Sequence, residues 1–290
     1  MMENIGVIGA GQMGSGIAHV CVLAGYNVFL SDISTEAVQK GFSSIDHNME
    51  RQVARNKLSV QEKEEALKRL HTFVGLQGFK KCDLVIEAVI ENEDIKKALF
   101  KKLTPLLSPH CLLATNTSSI SITALGRVTD RPDKFMGMHF MNPVPVMELV
   151  ELIRGIATSN TTFNSIQDVV KRLGKQAAVS EDYPGFIVNR ILMPMINEAV
   201  YALFEGVGTV EAIDKGMRLG TNHPMGPLEL ADLIGLDTCA FIMNMLYENR
   251  GESKYKPCPL LMKYVEAGWL GRKTERGFYD YKGEHPVPTR

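Results

Sequence analysis

Apolar positions recur along this chain in two rhythms. Up to about residue 180, short apolar runs of strand length alternate with longer stretches in which apolar residues return every three or four positions. Residues 5–10, 27–30, 73–76, 83–89, 111–115, 135–140, 147–153 and 176–180 read as strands, whereas the stretch ending at Gly25 and residues 34–56, 59–70, 93–107 and 161–174 read as helices. Ser59 with Glu62 supplies a capping box for the third of these helices. Beyond Pro184 and Gly185 the strand-length runs stop. Residues 186–205, 210–219, 228–235, 237–249 and 260–267 all carry helical spacing, broken by segments such as His223-Pro224-Met225-Gly226-Pro227. Alternation followed by helices alone predicts an α/β, doubly wound parallel sheet and then an all-α C-terminal domain. The length, 290 residues, exceeds what one core usually holds, and the change of rhythm places the division at 1–183 and 184–290, with a helical insert at about 34–71.

The first strand runs straight into Gly9-Ala10-Gly11-Gln12-Met13-Gly14, and a helix pattern follows. Strand, glycines and helix in that order form a dinucleotide turn and make the sheet Rossmann-like. Gly9 permits the tight turn, Gly11 lets the backbone approach a diphosphate, and Gly14 lets helix and strand pack; Gln12 and Met13 open the helix whose N–H groups would meet the phosphates. Asp32, at the end of the second strand, suits the hydroxyls of an adenosine ribose and would repel a 2′-phosphate. No Arg stands at positions 33 or 34, so NAD is expected, with NADP left open. The other reading of Asp32 is a plain turn or helix-capping residue.

Two further strand ends carry polar clusters on the rim where open α/β sheets bind ligands. These are Glu87-Ala88-Val89-Ile90-Glu91-Asn92 and Asn116-Thr117-Ser118-Ser119. Ser118 and Asn116 could bond a substrate oxygen or a nicotinamide, or simply cap the next helix. The stretch from Gly137 to Glu151 sets His139 and Glu151 in apolar surroundings on two strands joined by Asn142-Pro143-Val144-Pro145. Facing each other across that turn they would make a general-base pair, because a carboxylate fixes which imidazole nitrogen is free and stabilises the charge the ring gains. The alternative is a buried His bonded to a backbone carbonyl and a Glu turned to water. Lys40, Arg51, Arg55 and Lys57 on the insert read either as a clamp for a phosphorylated carrier or as a solvated face. Asn189, early in the first helix of the second half, has a polar task or a surface position.

A formal charge of -1 removes the electrostatic case for nucleic acid. The five cysteines, Cys21, Cys82, Cys111, Cys239 and Cys258, show no paired spacing and point to reduced core thiols, and the seven histidines show no metal-ligand spacing, so no metal is expected. No apolar run has spanning length, and the chain opens almost directly into a strand without signal-peptide features, so a cytoplasmic protein with no membrane partner is expected. The apolar faces of the later helices, Phe241 to Leu246 among them, predict a homodimer through the helical half.

Five ordered motifs carry a resemblance to a family. Gly9 to Ala18, Asn116 to Ser119, Gly137 to Val144, Pro184-Gly185-Phe186-Ile187-Val188-Asn189-Arg190 and Met225 to Leu228 resemble, over the whole length, the short-chain L-3-hydroxyacyl-CoA dehydrogenases, most of all their bacterial 3-hydroxybutyryl-CoA members; Gly271 to Tyr279 is similar to the family's final segment. The resemblance implies NAD-dependent interconversion of an (S)-3-hydroxyacyl-CoA, with 3-hydroxybutyryl-CoA and acetoacetyl-CoA the expected pair. It implies that His139 is the base, Glu151 its partner, and that Ser118 and Asn189 contact the reacting oxygen. Asp32, Glu91, Lys96, Ser118 and Asn142 would contact the cofactor, and Arg51 and Arg55 the CoA phosphates, although the family usually has lysines in that insert. Three rival readings remain. The β-hydroxyacid dehydrogenases need a Lys that residues 185–190 lack. A sugar-acid dehydrogenase resembling λ-crystallin and a non-catalytic NADH sensor stay open.

Overall fold

The first strand, β1 (Asn4–Ile8), becomes the centre of a sheet because its residues are buried on both faces. The computed structural model describes residues 2–290. They divide into two compact units, one ending at Phe186 and the other spanning Ile187–Arg290.

In the first unit β1 is followed by α1 (Gln12–Leu23), β2 (Asn27–Asp32), α2 (Thr35–Ala54), α3 (Val60–Lys68), β3 (Leu70–Val74), β4 (Leu84–Glu87), α4 (Glu93–Leu103), β5 (Leu112–Thr115), α5 (Ile122–Gly126), β6 (Phe135–Phe140), β7 (Leu149–Arg154), α6 (Asn160–Arg172) and β8 (Gln176–Glu181). Among the described residues eight strands form one sheet in the order β3-β2-β1-β4-β5-β6-β7-β8. It is parallel through β6; β7 then runs antiparallel to β6, and β8 parallel to β7. This is the Rossmann-like order, with the strand order switching between β1 and β4, two parallel neighbours, at the point where such sheets bind dinucleotides. Apolar side chains cover both faces, as the periodicity of a doubly wound sheet requires. Val7, Ile86 and Met138 pack into one cluster, and Val85, Leu113 and Phe135 into another.

Local signals set most boundaries. Ser34 caps α2 through Ala37 N–H, the Ser59–Glu62 capping box forms, and Asn92 caps α4 through Ile95 N–H. Several elements differ from the reading of the pattern. β1 and β4 end at Ile8 and Glu87 rather than 10 and 89, and α4 ends at Leu103 rather than 107. Three further shifts have a plain cause. β3 starts at Leu70, where it pairs with Val28, and ends before Gly75, whose φ is 86°, rather than running over 73–76. β7 begins at Leu149 rather than 147, because Val146 and Met147 N–H groups both turn back onto the Pro143 carbonyl. The first helix of the second unit starts at Val188 rather than 186, since Gly185 and Phe186 hold φ values of 77° and 49° that no right-handed helix accepts.

The second unit comprises α7 (Val188–Phe204), α8 (Val210–Gly220), α9 (Pro227–Ile234), α10 (Leu236–Arg250), α11 (Pro259–Glu266) and a small hairpin of β9 (Tyr279–Asp280) and β10 (Val287–Pro288). Its core joins Met193, Ile196, Val200, Leu228, Leu236, Leu246 and Phe278. Two buried acids close it. Asp214 accepts from Leu228 N–H, Glu229 N–H and the Tyr279 hydroxyl; Asp232 accepts from Phe278 N–H, Tyr279 N–H and the Tyr281 hydroxyl. Together they pin the C-terminal segment to α8 and α9. No single helix among the described residues is long and apolar enough to cross a membrane.

Candidate active site

The glycine turn is built from close contacts. A Cβ on Gly14 would lie 1.8 Å from the Gly9 carbonyl oxygen, and one on Gly9 would lie 2.5 Å from the Ala88 carbonyl, so neither position tolerates a side chain. Gly11, by contrast, faces open space, and it caps α1 with no side-chain hydrogen bond. The first N–H groups of α1 are thus left for an anionic ligand, and only a glycine keeps the approach clear. Asp32 lies beside this turn, its Oδ2 accepting from Ala10 N–H at 2.6 Å and Oδ1 from Ile33 N–H at 2.6 Å. A carboxylate has about four acceptor positions, so ribose hydroxyls can still be received. These features fit a dinucleotide.

Across the rim, β4 and β5 end side by side, with Glu87 opposite Thr115. Glu91 follows and gathers the next turn onto one oxygen. Its Oε1 accepts from Thr117 Oγ1 at 2.5 Å, Ser118 N–H at 2.9 Å, Ser119 N–H at 3.1 Å and Ser119 Oγ at 2.7 Å, with Ser118 Oγ at 3.3 Å. Burial pushes the Glu91 carboxyl up, but the Lys96 charge and these donors outweigh it and hold it below the usual carboxylate range. Lys96 is itself 1% exposed, its Nζ 2.5 Å from Glu87 Oε1 and 3.4 Å from Glu91 Oε2.

The same turn is tied to β6, because Asn116 Oδ1 accepts from Phe140 N–H at 2.8 Å. One residue earlier on that strand is His139, directly opposite Glu151 in the β6–β7 ladder. Antiparallel pairing sends both side chains to one face, and His139 Nδ1 lies 2.7 Å from Glu151 Oε2. His139 is 7% exposed and Glu151 fully buried. With the carboxylate as acceptor, Nδ1 carries the hydrogen and Nε2 is the nitrogen that can take a proton. The ring edge of Phe186 packs on the imidazole, centroids 5.7 Å apart.

The loop joining this pair of strands is held at both ends. Gln12 Nε2 donates to Asn142 Oδ1 at 3.1 Å, which links it to the glycine turn, and Lys175 Nζ donates to the Val144 and Met147 carbonyls at 2.7 Å each. Burial pushes the Lys175 ammonium below its ordinary range.

Of the residues singled out in the sequence, then, His139 meets Glu151, Glu91 meets Ser118 and Lys96, Gln12 meets Asn142, and Asp32 meets the glycine turn. Arg51 lies in the last turn of α2, where its guanidinium bonds Asn48 Oδ1, and Arg55 caps that helix; both are exposed on the insert and not drawn into the cluster. Asn189 is the second residue of α7 in the other unit. Glu87 belongs to the polar cluster read at the end of its strand, and Phe186 to a family motif, but the sequence gives neither of them, nor Lys175, a role of its own; the signal for Glu87 is an acid that closes the apolar run Leu84-Val85-Ile86.

A glycine turn for a diphosphate and a buried histidine poised to accept a proton on the same rim are the parts of a dehydrogenase of the dinucleotide-fold class. Family models agree. That of the 3-hydroxyacyl-CoA dehydrogenase NAD binding domain matches residues 4–183, and that of the 3-hydroxyacyl-CoA dehydrogenase C-terminal domain matches 185–281. The chain is 59% identical over 290 residues to a 3-hydroxybutyryl-CoA dehydrogenase of Bradyrhizobium diazoefficiens, covering 100% of this chain and 99% of that one. The crystal structure of (S)-3-hydroxybutyryl-CoA dehydrogenase from Ralstonia eutropha is 48% identical, superposes with a TM-score of 0.94, and is matched over 98% of this chain and 100% of its own. The chain belongs to the 3-hydroxyacyl-CoA dehydrogenase family.

Proposed function

We propose that this chain is an NAD-dependent oxidoreductase that interconverts (S)-3-hydroxyacyl-CoA, with 3-hydroxybutyryl-CoA the preferred length, and the 3-oxoacyl-CoA. The observation that carries the reading is the buried His139–Glu151 pair, 2.7 Å apart on directly opposed strand positions. Bound NAD supplies the hydride acceptor for the third carbon of the substrate. His139 Nε2 takes the proton of the 3-hydroxyl, while Nδ1–H goes on donating to Glu151, whose charge stabilises the imidazolium that forms. Ser118 and Asn189 hold the reacting oxygen. Asp32, Glu91, Lys96 and Asn142 serve the cofactor side, and the N–H groups of Gln12, Met13 and Gly14 meet the diphosphate.

Arg51 and Arg55 are one helical turn apart on an exposed face, which supports their meeting the phosphates of CoA. We further propose a homodimer formed through the helical unit, whose exposed apolar residues include Ile191, Phe204, Leu233 and Phe241, and which sedimentation equilibrium would report as twice the chain mass. The five buried free thiols support residence in the reducing cytoplasm, which cell fractionation would test.

The deciding experiment is a spectrophotometric assay with acetoacetyl-CoA, run with NADH and with NADPH, and with free acetoacetate as control. Rapid oxidation of NADH with the CoA ester alone is expected, and Arg51→Ala/Arg55→Ala should raise KM for the ester severalfold at nearly constant kcat. Silence with both nucleotides despite NADH binding would move the reading to a nucleotide sensor or a sugar-acid dehydrogenase.

A further inference from the structure

One group in the site is charged, fully enclosed and given no task by the mechanism above. Glu87 ends β4 with 0% exposure, and the Lys96 ammonium that meets it is 1% exposed. Its oxygens are satisfied on all sides. Oε1 accepts from Lys96 Nζ at 2.5 Å and Val89 N–H at 2.7 Å, and Oε2 from Thr115 Oγ1 at 2.6 Å. A buried ion pair of this kind is no more stable than a well-packed neutral pair, since desolvating both charges offsets their attraction. Stability alone therefore does not account for it.

Its position does. Lys96 sits one turn into α4, where the Asn92 cap fixes the helix start, and its Nζ reaches past Glu87 to Glu91 Oε2 at 3.4 Å. Glu91 in turn holds the backbone N–H groups of Ser118 and Ser119. The contact from the Ser118 hydroxyl to Glu91 is the long one, 3.3 Å, so that hydroxyl can be surrendered to a ligand while the backbone stays fixed. The geometry points to Glu87 as a positioning residue. By anchoring the Lys96 ammonium beneath Glu91, it holds the Thr117–Ser119 turn so that the Ser118 hydroxyl stands where the reacting oxygen arrives. This rests on the proposed dehydrogenase reading, in which Ser118 contacts that oxygen.

The test compares Glu87→Gln, Lys96→Gln and the double variant by steady-state kinetics with acetoacetyl-CoA and NADH, by thermal unfolding, and by hydrogen–deuterium exchange of residues 116–120 in the cofactor-free protein. Each single variant should lower kcat about tenfold, the size of one misplaced polar contact in a transition state, with KM for the ester within about twofold. The double variant, whose two amides can bond each other, should regain the wild-type melting temperature yet stay about tenfold slow and exchange faster at 116–120. It also carries the test if Glu87→Gln, which leaves a buried ammonium unpaired, does not fold. Recovery of turnover together with stability in the double variant would make the role purely structural and overturn the proposal, as would unchanged kcat or exchange in Glu87→Gln. Silence of the wild-type chain with this substrate pair would overturn the dehydrogenase reading and this proposal with it, an outcome distinct from an active wild type with indifferent variants.

Discussion

At the scale of single residues, the proposed chemistry rests on an imidazole whose two nitrogens are made unequal. Glu151 lies opposite His139 in the strand ladder and engages Nδ1, so the proton can be exchanged only at Nε2. General-base help from a positioned side chain is worth about two to four powers of ten in rate. We expect His139→Ala to lower kcat for acetoacetyl-CoA reduction by roughly that range while leaving NADH affinity within about twofold; near-normal turnover would reject the assignment. Glu151→Gln preserves shape but removes the counter-charge, so a loss of about tenfold to a hundredfold is expected together with a displaced pH profile of kcat. A profile that coincides with wild type would show that the carboxylate does not work through His139. The residues alone leave their pairing open, but both are legible in the sequence because they interrupt neighbouring apolar strands. Phe186 is not, since its contact with the imidazole depends on a left-handed backbone at Gly185 and Phe186 that only the folded chain reveals.

At the scale of elements, the loop between β6 and β7 links the glycine turn to the strands that carry His139 and Glu151. A Cβ on Gly16 of α1 would lie 2.8 Å from Val144 Cβ, so the loop rests directly on the diphosphate helix, and Lys175 grips it from the start of β8. Lys175→Met leaves two carbonyls without their charged donor, one of them on buried Val144. Each such bond is worth about 1.5–3 kcal/mol, and relaxation of the loop recovers part of that, so a loss of about 2–4 kcal/mol in denaturant unfolding is expected. KM for NADH should rise severalfold with kcat changed less, because Asn142 and Gln12 meet on this loop while the His139–Glu151 ladder does not depend on it. Unchanged stability and KM would show the grip to be incidental. The loop's prolines mark it as a turn in the sequence. Its anchor, 31 residues beyond Val144, carries no local signature.

At the scale of the whole molecule, each unit has its own hydrophobic core. In the second unit burial pushes the Asp232 carboxyl up to about 6, against the pull of the Tyr279 and Phe278 N–H groups and the Tyr281 hydroxyl, and the nearby Asp214 charge adds to the rise. A carboxyl whose folded value lies above its unfolded value near 3.8 contributes stability that is fully present below about 3.8 and lost as pH rises through about 6. At 1.36 kcal/mol per unit the span is about 3 kcal/mol at most. Thermal unfolding of wild type and Asp232→Asn between pH 7 and pH 5 should therefore show the wild type gaining on the variant as pH falls; parallel curves would mean that the carboxyl titrates normally.

The sequence by itself determined the strand–helix alternation, the switch to helices after Gly185, the glycine turn with Asp32, and the identity of His139 and Glu151. All of these are written in local periodicity and in residues with unusual backbone or acid–base chemistry, which neighbours in the chain are enough to express. Tertiary structure alone decided the partners. Strand order set Glu87 against Thr115, the turn into α4 brought Lys96 beneath Glu91, and pairing register set Glu151, rather than a backbone carbonyl, against His139. The start of β8 delivered Lys175 to a loop it does not adjoin in sequence. Such contacts join residues 5 to 31 positions apart, and a chain's local pattern holds no record of which group will neutralise a buried charge. Folding supplies that record, because most enclosed polar groups have to find a partner.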